Sequence, residues 1–395
     1  MSNILLNESH WNATKEALCE GLDGNKRVTM NLLLENTRRT LLNENASPGA
    51  TGSGNIAHVN KVILPVIRRV MPTVIANELI GVQPMTGPVG QIHTLRVGYS
   101  DTVPASGGVT AGTEALSPYE IARYYSGNNN PAAPAAAPTP YLEGTGGNRM
   151  AVQVLRETVT AKTRALSARW TYEAQQDAQA QQGLDIEAEI TAALATEITT
   201  EIDQEILGSL RRLPGAPTAI YDQSKVSGTA TFVGDEHAAL ATMINRQANL
   251  IATRTRRGPG NWVVVSPDML TVLQSATTSA FARTTEGVFD APTNTKFVGT
   301  LNNTMKVYVD GYANINTPVL VGFKGQGELD AAAYYCPYVP LMSSGTLVDP
   351  ITFEPVIGFK TRYGYVELTN PASSFGNSAD YLGLIGINAS TLSYM

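Results

Sequence analysis

Between residues 186 and 206 the chain places Ile186, Ile190, Leu194, Ile198, Ile202 and Ile206 at a constant interval of four. Residues four apart lie on one helical face, so the spacing predicts a single long helix over about 184–210 with an unbroken apolar ridge. Four slightly exceeds the helical repeat of 3.6, so the ridge winds slowly round the helix and needs apolar partners along its length. Glu197, Glu201 and Glu205 repeat at the same interval on an adjoining row. Gly183 and Asp185 supply a stop for the preceding segment and a start for this helix. That preceding segment, SARWTYEAQQDAQAQQ (167–182), also reads as helical.

Elsewhere the period changes to two. Ile92, Thr94, Arg96 and Gly98 alternate with His93, Leu95, Val97 and Tyr99, and Val152, Val154, Thr158 and Thr160 alternate likewise. Both runs predict strands. Between them, residues 101–147 contain GNNNPAAPAAAPTP and EGTGGN, a composition expected to bury no core. The pair is therefore expected to form a long two-stranded finger. DEHAALATMINRQANLIATRT (235–255) reads as an amphipathic helix, and NWVVVSPDMLTVLQSA as a buried strand, a turn and a helix. Strands follow in TMKVYVDGY, PVLVGF and FKTRYGYVEL. Residues 1–44 read as a separate helical piece, and ASPGATGSGN (46–55) as a flexible linker. NKVILPVIRRVMPTVIANEL (60–79) is apolar but interrupted by Pro65 and Pro72, which forbid one smooth helix and suggest an arm lying on something else.

Composition sharpens this picture little. A chain of 395 residues, 43% hydrophobic, can bury a sizeable core in two or three units. A formal net charge of -6 is a poor match for a dedicated nucleic-acid binder. Cys19 and Cys336 are too few for a four-ligand zinc site or a disulfide framework. No basic start precedes an apolar core at the N-terminus, and no apolar run is long enough to span a bilayer.

Few residues of the chain are arranged for chemistry. His10, His58, His93 and His237 are not spaced as metal ligands or as a triad, and no phosphate loop or nucleophile elbow occurs. Gly322, Gly325 and Gly327 read as a plain turn. Arg254, Arg256 and Arg257 form the tightest basic cluster, suited to an anion, to an acidic neighbour, or simply to a helix C-terminus. Glu197, Glu201 and Glu205 read as a solvated or cross-subunit ion-paired face rather than a metal site. No cofactor, metal or catalytic residue is expected.

Four collinear stretches carry a resemblance: GVQPMTGPVGQIHTLR (81–96), RALSARWTYEAQQDAQAQQGLDIEAEI with the following ALATEI and EI (164–202), RRGPGNWVVVS (256–266), and LDAAAYYCPYVPL with DPITFEPVIGFKTRYG (329–364). Together they resemble the major capsid proteins of T-even-type tailed bacteriophages. The resemblance implies an α+β Hong Kong 97-type viral capsid fold. Its parts would be an N-terminal helical segment (1–44), a linker and N-terminal arm (45–87), an extended β-hairpin loop (88–165), a peripheral domain (166–224) holding the spine helix 184–210, an axial domain (225–330), and a return to the peripheral domain with a C-terminal tail (331–395). It implies self-assembly into hexamers and pentamers of an icosahedral head shell around the genome. Vertex, portal, scaffold and decoration proteins would be partners, with weak non-specific contact to double-stranded DNA and no membrane. The location would be the virion, and the host cytoplasm during assembly.

The family's precursors are cut after an aliphatic-x-Glu motif. Leu42-Asn43-Glu44 fits it just before the linker, so residues 1–44 are a candidate propeptide; Leu33-Leu34-Glu35 fits the motif too. Intersubunit pairing is expected between the acidic row (Glu197, Glu201, Glu205) and basic residues such as Arg96, Arg149, Arg156, Arg254, Arg256 and Arg257. The last thirty residues do not match the family's usual ending. Rival readings are the pentamer-forming vertex paralogue, an encapsulin-like nanocompartment shell and, from another class, a soluble enzyme.

Overall fold

The computed structural model describes residues 8–22, 24–44, 74–103, 109–112, 115, 125–127, 136–143, 147–183, 185–225, 233–255, 257–276, 281–283, 296–302, 304–325, 330–349, 351–352, 354–369 and 377–392. Most of the apolar segment 60–79, including both of its prolines, lies outside them. The helices are α1 (Glu8–Cys19), α2 (Gly24–Glu44), α3 (Ala76–Leu79), α4 (Thr139–Leu142), α5 (Tyr172–Gln182), α6 (Ile186–Arg212), α7 (Val233–Thr255) and α8 (Pro267–Ser275). The strands are β1 (Gly81–Val82), β2 (Val89–Tyr99), β3 (Met150–Thr160), β4 (Lys162–Arg169), β5 (Ala219–Tyr221), β6 (Trp262–Val265), β7 (Phe281–Arg283), β8 (Lys296–Leu301), β9 (Met305–Val309), β10 (Val319–Gly322), β11 (Ala333–Ser343), β12 (Leu347–Val348), β13 (Pro355–Glu367) and β14 (Leu382–Ile387).

The chain divides into two units. Unit 1 comprises Met1–Gly90, Thr158–Leu207 and Tyr334–Val366; unit 2 comprises Gln91–Glu157, Gly208–Ala333 and Glu367–Met395. Unit 1 holds a five-stranded sheet in the order β1-β11-β13-β12, with β4 also paired to β13. The β4–β13 ladder is antiparallel and runs from Val356 opposite Arg169 to Tyr363 opposite Lys162. That ladder overrides the helical reading of 167–169: Ser167, Ala168 and Arg169 all pair with β13. Helix α5 starts later. The Thr171 side chain caps it by accepting from the Ala174 N–H at 3.3 Å, and Gly183 ends it at φ 67, a left-handed conformation in which a Cβ would be strained.

Helix α6 is 27 residues long and carries the apolar ridge. Leu194, Ile198, Ile202 and Ile206 are buried, whereas Ile186 and Ile190 are half-buried. The row one residue further on is buried as well, and it carries polar members. The Thr199 hydroxyl donates to Ala195 O at 2.8 Å, and Asp203 Oδ1 accepts from Ile75 N at 2.9 Å. The N-terminal helices, read from sequence as a separate piece, are built into unit 1. Asn36 Nδ2 donates to Met85 O and Tyr338 O at 2.8 and 2.9 Å, Lys26 pairs with Glu78 at 2.7 Å, and Trp11, Leu33 and Leu34 are buried.

Unit 2 is built on a seven-stranded sheet in the order β5-β14-β10-β6-β9-β8-β7. Val263 and Val265 of β6, Val307 of β9 and Val319 of β10 share one apolar cluster with Ile244 and Ile251 of α7 and Met269 and Val272 of α8. The strand–turn–helix reading of 261–276 fits the observed elements: Ser266 caps α8 and Pro267 occupies its first turn. Residues 382–387, which the sequence left without a role, form β14, an internal strand antiparallel to β10 and parallel to β5. Gly383 permits its close packing, because a Cβ there would stand 1.9 Å from Gln247 Nε2 of α7.

β2 and β3 pair as a two-stranded sheet, the expected finger. Beyond it, against the composition-based expectation for 101–147, Tyr99, Val103, Val109, Ala115 and Tyr125 form a small apolar centre. Tyr125 closes it. Its ring lies 4.5 Å from that of Tyr99, and its hydroxyl accepts from Asp101 N at 3.1 Å and donates to Arg149 O.

The firmest charge in unit 2 is the Arg211–Asp310 pair, at 2.9 Å with the Asp310 side chain fully buried. Arg211→Ala leaves that carboxylate buried without its cation, and should destabilise the chain by about 3–5 kcal/mol in urea unfolding. Arg211→Lys should recover part of the loss.

Candidate functional site

Among the described residues no group of three or more His, Cys, Asp or Glu is arranged to hold a metal ion. The Cys336 thiol is buried and its pKa is pushed up to about 12 by that burial, so it stays protonated and a poor nucleophile. His237 is buried, with Nδ1 2.6 Å from the Ser275 hydroxyl. The residues that could do something are on surfaces, and they fall into an ion-paired hub and a bare strand.

The hub lies in unit 1. Arg164 of β4 reaches across to α6, with Nη1 2.6 Å from Glu201 Oε2 and Nη2 2.7 Å from Glu205 Oε2. Its Nε donates to the Tyr363 hydroxyl at 2.6 Å, and that hydroxyl donates in turn to Glu205. Tyr363 is in position because the β4–β13 register sets Arg164 opposite Thr361, two residues away on the same face. The Tyr363 ring also packs on that of Tyr335 at 5.4 Å. Burial favours the neutral form of Glu205, but hydrogen bonds from Tyr363 and Arg164, with the charges of Arg164 and Lys162, outweigh it and hold the pKa below the usual carboxylate value. Burial likewise opposes the charge on Arg164, and its bonds to Glu205 and Tyr363 more than compensate.

Two of the three acids expected to face a neighbour are therefore engaged by a cation of their own chain, while Glu197 is exposed. The sequence reading missed Arg164. The signal was available only through strand pairing, since nothing in the spacing of the glutamates points to a cation 37 residues earlier.

The bare strand is β3. Met150, Val152 and Val154, on one face, are 53%, 64% and 60% exposed, and exposed Arg156 continues that face. Arg149 is 81% exposed, its guanidinium 3.7 Å from Asp101. Arg96 lies in β2, with its side chain outside the described residues. Arg254 is half-buried in the last turn of α7, where a cation suits the helix macrodipole. Arg257 pairs with Asp330 at 2.5 Å, and Arg256 lies outside the described residues. Leu42, Asn43 and Glu44 are the last residues of α2, whereas Leu33 and Leu34 of the second aliphatic-x-Glu motif are buried in mid-helix.

The hub gives a pH signature. A depressed folded pKa stabilises the charged form, so the contribution of Glu205 is complete above about pH 4.3, the ordinary glutamate value, and is lost as pH falls through the lowered one. Glu205→Gln should flatten the acid limb of a stability–pH curve measured by thermal unfolding. Arg164→Ala should cost about 1 kcal/mol at neutral pH, because both carboxylates are more than a third exposed.

Comparison with known proteins gives these surfaces a context. Residues 56–145 and 132–387 match the family model described as Gp23, major capsid protein Gp23. The major capsid protein of Vibrio phage KVP40 is 30% identical over 87% of this chain and 84% of that protein. That of Enterobacteria phage T6 is 30% identical, covering 81% of this chain and 80% of its own length. Among solved structures, the capsid of Myoviridae phage XM1 aligns over 80% of this chain and 92% of its own, at 9% identity and a TM-score of 0.46. The mature capsid of bacteriophage PhiM1 aligns over 78% of this chain and 85% of its own, at 13% identity and a TM-score of 0.44. On the extent of the family match, this chain belongs to the Gp23 major capsid protein family of T4-like phages, the proteins that form the phage head shell.

Proposed function

We propose that this capsid protein forms hexameric and pentameric capsomers of an icosahedral head in a Hong Kong 97-type arrangement, held together without covalent links. In this reading the finger of β2 and β3 is the extended loop, α6 is the spine helix, and the sheets of units 1 and 2 are the peripheral and axial domains. The observation that carries it is the apolar face of β3. Met150, Val152 and Val154 are more than half exposed on a two-stranded sheet. Such a sheet is marginal in water by itself, and an edge strand with an apolar face invites a partner. Laid over a neighbouring copy, the same face becomes interface, with Arg156 at its end able to meet exposed acids such as Glu197. The engagement of Glu201 and Glu205 by Arg164 narrows the acidic row available for that role.

Cleavage after Glu44 fits the end of α2, while the motif at Leu33–Glu35 would require opening a buried helix. With a formal net charge of -6, contact with packaged DNA would be weak and non-specific. Vertex, portal, scaffold and decoration proteins complete the set of partners in this reading.

The test is electron microscopy of the expressed chain beside a Val152→Asp, Val154→Asp variant. Shells from the parent and only smaller species from the variant, at unchanged subunit melting temperature, are the expected result. Normal shells from the variant would refute the lacing. SDS electrophoresis of the shells should give a single monomer band, and mass spectrometry of mature particles should find chains starting at Asn45.

A further inference from the structure

A second apolar feature lies in unit 1, in β12 and the turn that joins it to β13. Leu347, Val348 and Ile351 there are 60%, 48% and 87% exposed. The turn is pinned rather than loose. Asp349 N donates to Glu354 O at 2.9 Å, Asp349 Oδ1 accepts from Ile351 N at 3.0 Å, and Asp349 Oδ2 accepts from the Thr352 hydroxyl at 3.2 Å. At the base of the turn the Thr346 hydroxyl donates to Glu187 Oε1 at 2.6 Å. Held this way, the described residues of the turn leave Leu347, Val348 and Ile351 facing solvent.

The sheet behind this hairpin carries a complementary feature. Ser167 of β4 stands opposite Gly358 of β13, and Ala165 opposite Lys360. Ser344 is adjacent, its hydroxyl accepting from Gly358 N at 3.0 Å. Small side chains at these positions leave a groove of about 400 Å³, lined also by Leu166, Met342 and Phe359. Exposed Lys360 is part of its lining, and Asp349 belongs to the turn.

We propose that Leu347, Val348 and Ile351 at the hairpin tip of one copy seat in the Ser167–Gly358 groove of a second copy. The occupant has to be another molecule, because the groove is lined by β4, β11 and β13 and the tip is the far end of the hairpin that includes β13. A second copy brings both the apolar side chains the groove lacks and, in Asp349, a charge opposite to that of Lys360. An apolar projection matched to a depression elsewhere on the same surface links copies into a pair or a ring. Side chains that fill well-packed, desolvated pockets are the usual centre of such a contact. The contact is separate from the finger contacts proposed above and rests only on the chain being a shell subunit.

The test is disulfide trapping in assembled particles, for which the protein has a quiet background because both native cysteines are buried. Under mild oxidation the Ile351→Cys, Ser167→Cys double variant should give covalently linked chains on a non-reducing gel, and neither single variant should. Linkage by Ile351→Cys alone would mean that tips meet tips and would overturn the proposal, as would particles of the double variant that give no linkage. Gly358→Leu supplies a second measurement. A Cβ at 358 meets only Ser344 Oγ, at an ordinary 3.5 Å, so a side chain can start into the groove there without a clash at its Cβ. The expected result is an unchanged melting temperature and a tenfold or greater drop in assembled particles. Unimpaired assembly would count against the groove.

Discussion

Helix α6 presents rows of residues repeating every four, and each buried row has its own answer in unit 1. The row Leu194, Ile198, Ile202 and Ile206 is answered by burial. The row Ala195, Thr199 and Asp203 is buried too, with the Thr199 hydroxyl bonded to the helix's own backbone and Asp203 Oδ1 to Ile75 N. The outer row of Glu201 and Glu205 is answered by Arg164. A helix of this length gains most of its stability from packing rather than from intrinsic propensity. Burial of the ridge at about 25 cal/mol per Å² of apolar surface outweighs the roughly 1 kcal/mol expected of the surface ion pairs. The charges set orientation: with Arg164 held by Tyr363, the acidic row is tied towards β4.

These rows were legible in the sequence because a helix prints its faces at a fixed interval. What they meet was not, because strand pairing joins residues far apart in number. Arg164 and Tyr363 are 199 residues apart and come together only through the register of β4 on β13. The same ladder converts Ser167–Arg169 from the helix their neighbours suggest into strand, since paired backbone groups outweigh a few tenths of a kcal/mol of propensity per residue. For β14 the clue was present in LGLIGI, an apolar run without polar alternation, as expected for a strand buried on both faces. It was hard to weigh because two glycines in six residues look like a loop. Gly383 has a packing reason: it makes room for Gln247.

The finger shows the opposite limit. Averaged composition over 101–147 predicts nothing folded, yet Tyr99, Val103, Val109, Ala115 and Tyr125 make a small centre. A handful of residues suffices because Tyr125 adds hydrogen bonds to its ring contact, joining residues near 101 to residues near 149. Asn148 Nδ2 donates to Tyr125 O at 2.7 Å, and Asp101 Oδ2 accepts from Arg149 N at 2.6 Å, which reinforces the same closure. Such a staple fixes the strand ends whatever the composition of the chain between them. β3 is thereby offered as a strand with its apolar face outward.

Charge and apolar surface are thus treated differently in this subunit. Lys26, Arg164, Arg211 and Arg257 each have an acidic partner within the chain. Met150, Val152, Val154, Leu347 and Ile351 are left to solvent. Contacts between copies built on the second set would draw mainly on apolar burial, which is non-directional and strengthens on warming from the cold. A force without direction cannot by itself choose a closed shell over a disordered aggregate. Direction has to come from how rigidly the apolar groups are held, which is the service of the Asp349 hydrogen bonds at one turn and of the Tyr125 staple at the finger. In the proposed contacts the polar bonds at that turn and at the finger would therefore matter for assembly less through their own free energy than through the geometry in which they present the uncovered hydrophobic side chains.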